Sequence, residues 1–137
     1  MDLQIIKIAS DNKNQKDIQN YTHKIKNKNL ICGDEIVISL LIKNNIIKDI
    51  GYSCKSCVFC QASINLLSKK AIKMDVSRTI ILCNNVINFY QVKEGKLIKN
   101  IKFFEKILTK DNFARKDCLL LPFITLRKLL KSNDGKN

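Results

Sequence analysis

The residues with the clearest chemical potential are three cysteines in one short stretch. GYSCKSCVFCQAS, residues 51–63, places Cys54, Cys57 and Cys60 at C-x2-C-x2-C spacing, which is typical of zinc and iron–sulfur ligands. A ferredoxin would continue with a cysteine at position 64, where this chain has Ile64. A zinc ribbon would need a second paired motif. These three thiols therefore do not complete a four-ligand site by themselves.

Two other segments offer the missing ligands. ICGDE contains Cys32 and Asp34, and RKDC contains Asp117 and Cys118. In each segment a thiol and a carboxylate lie close in sequence at the edge of a predicted element. Such a donor set suits tetrahedral zinc or a small iron–sulfur cluster.

The remaining cysteine and the histidine are not predicted to be ligands. Cys83 lies inside the apolar run IILCNNVI and is predicted to be a core residue. His23, the single histidine, lies in a polar segment and is predicted to be a solvated surface residue rather than a ligand.

Composition restricts the class of protein. The chain has 137 residues, 45% of them hydrophobic, which suits one domain with one core. It has no run of about 18 apolar residues to span a membrane and no secretory signal pattern, so we expect a cytoplasmic protein with reduced cysteines.

The net charge is +13. Because the basic residues are nearly all lysine, which reads grooves and phosphates less well than arginine, the charge favours solvated faces over nucleic-acid binding.

The elements that must position the thiols are a hairpin and several helices. Two β-branched runs from Glu35 onward, joined at Asn44-Asn45, predict a β-hairpin. Apolar spacing predicts helices over 61–74, 75–92, 97–110 and 117–132, the last with Pro122 in its first turn. Residues 18–29 predict a short helix followed by a loop. We expect an α+β fold in which a small antiparallel sheet packs against several helices. It forms a single domain over 1–137, with an N-terminal segment at 1–19 and a loose tail at 132–137.

These motifs together resemble a known family. CGDEIVISLLIKNNIIKDIGYSCKSCVFCQASINLLSK, followed by RKDCLLLPFITLRKLL, is similar to the U-type iron–sulfur scaffolds, which include the NifU N-terminal domain, IscU and SufU. The resemblance covers roughly residues 20–131, with three motifs in the family's order. It implies a scaffold fold of the SufE/IscU type.

The resemblance also implies a ligand set and a role for one cysteine. The metal-binding and cofactor-binding residues would be Cys32, Asp34, Cys57 and Cys118, holding Zn²⁺ or a [2Fe-2S] cluster. Cys118 would accept persulfide sulfur. Cys60 and Asp117 are alternative ligands, and Cys54 is the further thiol beside the centre.

Departures from the IscU pattern bring the chain closest to SufU. Asp117 stands where IscU-type members carry histidine, and no Leu-Pro-Pro-Val-Lys stretch is present. The implied function is an iron–sulfur assembly scaffold or a zinc-dependent sulfur acceptor, rather than a conventional enzyme. Its implied partners are a cysteine desulfurase, an iron donor and apo-protein acceptors, and the protein would be a monomer or weak dimer.

Two other functions stay open at this stage. One is a non-catalytic metal-binding module that uses its basic surface to bind nucleic acid. The other is a degenerate scaffold that serves only as a docking subunit. The segment HKIKNKNLICGD is shorter than its SufU counterpart and lacks the proline found there, a departure that concerns docking to the desulfurase.

Overall fold

The computed structural model describes residues 3–92 and 99–132. The predicted tail, apart from Ser132, and the start of the predicted helix 97–110 lie outside these residues. In chain order the elements are α1 (Leu3–Ala9), β1 (His23–Lys28), β2 (Glu35–Lys43), β3 (Ile46–Lys55), α2 (Val58–Ala71), α3 (Val76–Val92), two 3-10 helices (Lys99–Phe104 and Phe113–Arg115) and α4 (Lys116–Lys131). None of the helices in the described ranges is both long and apolar enough to cross a bilayer.

The sheet has three antiparallel strands in the order β1-β2-β3. The predicted hairpin is confirmed: Asn44 and Asn45 both adopt positive φ, 54° and 63°, which asparagine tolerates and a tight hairpin turn requires. Alternate residues of a strand point to the same side, and one face of the sheet is covered, most completely along β2. Ile36, Ile38 and Leu40 of β2 have no exposed surface.

The helices cover that apolar face and build the rest of the core. α2 packs against β3 and α4, and α4 also packs against β1. The rings of Phe104 and Phe123 meet edge to face at 5.0 Å, and both are fully buried. Cys83 is buried as predicted. This packing fixes the end of the sheet at which α2 and α4 begin.

The prediction for residues 18–29 was wrong, because their second half forms β1. Burial alternates along HKIKNK, with His23, Ile25 and Asn27 turned inward and the lysines exposed. His23 is consequently not a solvated residue: it is 8% exposed, and its Nδ1 lies 2.8 Å from the hydroxyl of Thr22. Pairing with β2 supplies the hydrogen bonds that the local sequence could not indicate.

Two helical predictions also needed correction. In the described part of 97–110, a short 3-10 helix replaces the predicted α-helix. Pro122 lies inside α4 rather than in its first turn. Because proline has no N–H, the carbonyl of Cys118, four residues earlier, receives no helical hydrogen bond.

Gly51 lies where the loop before β1 crosses β3. A Cβ at this position would stand 2.5 Å from the carbonyl oxygen of Lys16 and 3.1 Å from Cγ1 of Ile18. Since the nearest obstacle is backbone, we expect Gly51→Ala to lower the free energy of unfolding by about 1 to 3 kcal/mol. Urea denaturation would measure this loss. Ser53→Ala, on the exposed face of the same strand, should change stability little, and equal effects of the two substitutions would contradict the steric explanation.

Candidate metal centre

Three segments meet at one end of the sheet. The first is the turn 29–34 between β1 and β2, the second is the junction of β3 with α2, and the third is the start of α4. Each segment contributes at least one of the side chains predicted from the motifs. The centre is therefore assembled from residues far apart in sequence.

The turn is held by Asn29, a residue that the motifs did not single out. Its side-chain oxygen accepts hydrogen bonds from the N–H groups of Ile31 (2.8 Å) and Cys32 (3.4 Å). Its side-chain nitrogen donates to the carbonyl of Asp117 at 3.2 Å. Gly33 adopts φ +80°, a conformation that glycine reaches without steric cost. Asn29 thus ties the Cys32 turn to the start of α4.

The predicted ligands Cys32, Asp34 and Cys118 lie together. One potential ligand atom from each falls within 4.8 Å of the other two. Their environments differ: Cys32 is exposed, whereas Asp34 is 5% and Cys118 3% exposed. The arrangement presents one thiol at the rim and a thiol and a carboxylate beneath it.

Cys57 approaches the same carboxylate from α2. Its thiol donates to Oδ2 of Asp34 at 3.4 Å, and its backbone N–H donates to Oδ1 at 3.0 Å. Cys57 is also the N-cap residue of α2, where a negative charge interacts favourably with the helix dipole. Asp34 therefore anchors the start of α2 in addition to facing the thiols.

The electrostatics of the centre favour a bound cation. Burial raises the pKa of the Cys118 thiol, and hydrogen bonds with Cys57, Asp34 and Cys32 raise the same pKa further. Ionising such a group of acids requires compensating positive charge. Two sulfurs and one carboxylate oxygen lie within 4.8 Å of one another, and the Cys57 thiol is hydrogen-bonded to that carboxylate; thiolates and a carboxylate are donors that suit Zn²⁺ or iron. The residues present are thus suitable for either species.

The remaining candidates lie beside the centre. Cys60 is fully buried in α2, and burial raises its pKa although a hydrogen bond from Ser56 opposes the shift. Cys54, half-buried near the end of β3, shows a raised pKa for the same reason. The side chain of Asp117 is exposed. Within the described residues, these three side chains, and also the predicted ligand Cys57, lie outside the group of mutually close ligand atoms that Cys32, Asp34 and Cys118 form.

A hydrogen bond between α2 and α4 is a second contact that could not be predicted from the sequence. The hydroxyl of Ser63 in α2 donates to the carbonyl of Leu119 in α4 at 2.6 Å. Both groups are buried. This bond fixes the spacing between the two helices that carry Cys57 and Cys118. The motif quoted above contains Ser63, but its partner becomes evident only in three dimensions.

Asp34→Ala should destabilise the metal-free protein because it removes the acceptor of the Cys57 N–H group. We expect a loss of about 1 to 3 kcal/mol, the cost of leaving a partly buried donor unpaired. Asp34→Asn keeps an oxygen at this position and should lose less. Thermal and urea unfolding in the presence of a chelator would compare the two variants. Equal losses would show that the backbone hydrogen bond is not the cause.

Fold and centre together define a class of protein: an α+β domain that presents thiols and a carboxylate where a three-stranded sheet meets two helices. Comparison with known proteins identifies the family. Residues 3–107 match the NifU-like N terminal domain. The chain is 30% identical over 130 residues to the iron-sulfur cluster assembly scaffold protein IscU of Thermotoga maritima, across 93% of this chain and 89% of that protein. The chain belongs to the NifU-like N-terminal domain family, which confirms the resemblance seen in its motifs.

Solved structures confirm the fold class. A NifU-like protein (N-terminal) from Brucella abortus superposes with a TM-score of 0.87 at 14% identity, covering 99% of this chain and 95% of that one. FiSufU, from the SUF system of Fervidobacterium islandicum AW-1, gives a TM-score of 0.84 at 24% identity, covering 95% and 96%. At these identities the likeness establishes the fold alone.

Proposed function

We propose that this protein is an iron–sulfur cluster assembly scaffold, on which sulfur and iron are brought together before the cluster passes to an acceptor protein. The observation that carries the proposal is the convergence of Cys32, Asp34 and Cys118. The thiol of Cys57 is hydrogen-bonded to the Asp34 carboxylate. Membership of the NifU-like family and the similarity to the Thermotoga IscU support it.

Each residue of the centre has a distinct role in this proposal. Cys118, buried with a ligand atom of Cys32 and of Asp34 within 4.8 Å of its sulfur, accepts persulfide sulfur from a cysteine desulfurase. Cys32 and Cys57 would hold the growing cluster. Asp34 is the exchangeable ligand, because a carboxylate releases a metal more readily than a thiolate does. Its departure would free a coordination position for incoming sulfur.

A resident Zn²⁺ is the second form that the donor set accommodates. When bound, it would keep the thiols ionised at neutral pH. Cys32, Asp34, Cys57 and Cys118 would hold it. In this form the protein would act as a sulfur acceptor, with the cluster as cargo of a later step.

The rim of the centre suits a protein partner. Leu30 and Ile31, immediately before Cys32, are 91% and 80% exposed, and large apolar side chains at a rim favour protein contacts. Cys118 is almost covered, so the desulfurase persulfide would reach it after the turn 29–34 moves. We therefore place the desulfurase contact on this turn.

Metal and sulfide analysis of anaerobically purified protein tests the proposal. A scaffold should hold about one zinc or one small cluster per chain in a four-ligand site. Reconstitution with ferrous iron and sulfide should give a cluster that transfers to an apo-ferredoxin. A chain that binds neither zinc nor a cluster under these conditions would contradict the assignment.

A further inference from the structure

Cys57 and Cys60 form a dithiol at the start of α2. Cys57 is the N-cap, with an extended backbone (φ −73°, ψ 168°), and Cys60 is the third residue of the helix. The first turn is closed, since the N–H of Gln61 donates to the carbonyl of Cys57 at 3.1 Å. Residues three apart lie on the same side of a helical turn. The two thiols are therefore placed on the same turn.

The two thiols differ in exposure in a way that separates their roles. Cys57 is half-buried and contacts Asp34, so it faces the centre. Cys60 has no exposed surface, and reagents in solution cannot reach it directly. A C-x2-C pair at a helix start, with one accessible and one buried thiol, is the arrangement that supports thiol–disulfide exchange. Cys60 is thus placed to react with Cys57 alone.

We propose that Cys57 and Cys60 act as an internal reductant that converts persulfide sulfur into sulfide. This inference rests on the proposed function, which delivers the persulfide to Cys118. Cluster assembly consumes sulfide, whereas a persulfide carries sulfur that is two electrons more oxidised. The dithiol supplies those two electrons within the scaffold itself.

The reaction takes two balanced steps. The Cys57 thiolate attacks the outer sulfur of the Cys118 persulfide, the sulfur–sulfur bond at Cys118 breaks, and Cys118 leaves as a thiolate. The thiol of Cys57 donates to Oδ2 of Asp34 at 3.4 Å, and a carboxylate oxygen of Asp34 lies within 4.8 Å of Sγ of Cys118, so both thiols face the same carboxylate. Cys60 then attacks Sγ of Cys57, forming the Cys57–Cys60 disulfide and expelling hydrosulfide, which carries away the proton of Cys60. An external dithiol reductant restores both thiols.

Treatment of the reduced full chain with sodium tetrasulfide tests this chemistry without a desulfurase. After anaerobic removal of excess donor, the parent should release about one sulfide per chain as the dithiol oxidises. Mass spectrometry should locate the disulfide between Cys57 and Cys60. Cys60→Ser should retain the added sulfur atom as a persulfide and release sulfide at least about tenfold more slowly.

Matched variants make the result decisive. Cys83→Ser, which removes a buried thiol from α3, should behave like the parent. Cys60→Ala repeats the test with an apolar side chain if serine disturbs the buried position. A disulfide that joins Cys57 to Cys54 or Cys118, or sulfide release by both Cys60 variants at the parental rate, would overturn the inference.

The test also separates the two proposals. If tetrasulfide gives the expected chemistry but a desulfurase does not label the protein, the proposed sulfur source is contradicted and the dithiol proposal stands. If the desulfurase labels the protein but no Cys57–Cys60 disulfide forms, only the dithiol proposal is contradicted.

Discussion

Cys118→Ala should lose almost all persulfide labelling when the protein is incubated with a cysteine desulfurase and cysteine. Cys118 is the buried thiol of the group in which ligand atoms of Cys32, Asp34 and Cys118 lie within 4.8 Å of one another. We expect labelling to fall by at least about tenfold, because persulfide formation requires a thiolate nucleophile. Alkylation of persulfides followed by mass spectrometry would measure the loss.

The fold of this variant should survive, since alanine leaves a small apolar side chain at the start of α4. Circular dichroism would verify this. Cys83→Ala removes another buried thiol away from the centre and should label as the parent does. Equal labelling of Cys118→Ala and the parent would assign the acceptor role to another cysteine.

Cys57→Ser should weaken zinc binding by at least about 100-fold, because one of four ligands is lost from a tetrahedral site. In the described part of the chain, the thiols of Cys54, Cys57 and Cys60 all lie outside the group of mutually close ligand atoms, but Cys57 alone of the three is set beside that group by a hydrogen bond, from its thiol to Oδ2 of Asp34 at 3.4 Å. Cys54→Ser and Cys60→Ser should therefore keep an affinity close to that of the parent. Titration with a competing chelator would compare the three variants with the parent.

This comparison distinguishes the three thiols of one motif. If Cys60→Ser lost zinc as completely as Cys57→Ser, Cys60 would be the ligand and α2 would have to begin differently around the metal. If all three variants kept the parental affinity, the centre would bind zinc without help from α2.

The elements whose signals are local could be predicted from the sequence. The pair Asn44-Asn45 predicts its own turn, because few residues accept positive φ at two successive positions. The apolar spacing of α2 and α4 likewise reflects the faces that they bury. The resemblance to the scaffold family, carried by CGD and the later cysteine segments, groups the proposed ligands although they lie far apart along the chain.

What could not be predicted depends on partners distant in sequence. β1 contains a single strongly apolar residue, Ile25, and becomes a strand because β2 pairs with it. Asn29 has no distinguishing feature in the sequence, because the carbonyl that its side chain contacts belongs to Asp117, which is distant along the chain. Proline is typical of the first turn of a helix, and the burial of Pro122 inside α4 has no local signature in the sequence.

The position of β1 at the edge of the sheet has a consequence for aggregation. An edge strand offers unpaired backbone groups to a strand of another molecule. Here the exposed positions are Lys24, Lys26 and Lys28, so a second copy aligned along this edge would bring rows of ammonium groups together. That repulsion opposes the growth of intermolecular sheets at physiological ionic strength. At about 1 M salt, where charges are screened within about 3 Å, this repulsion is weak.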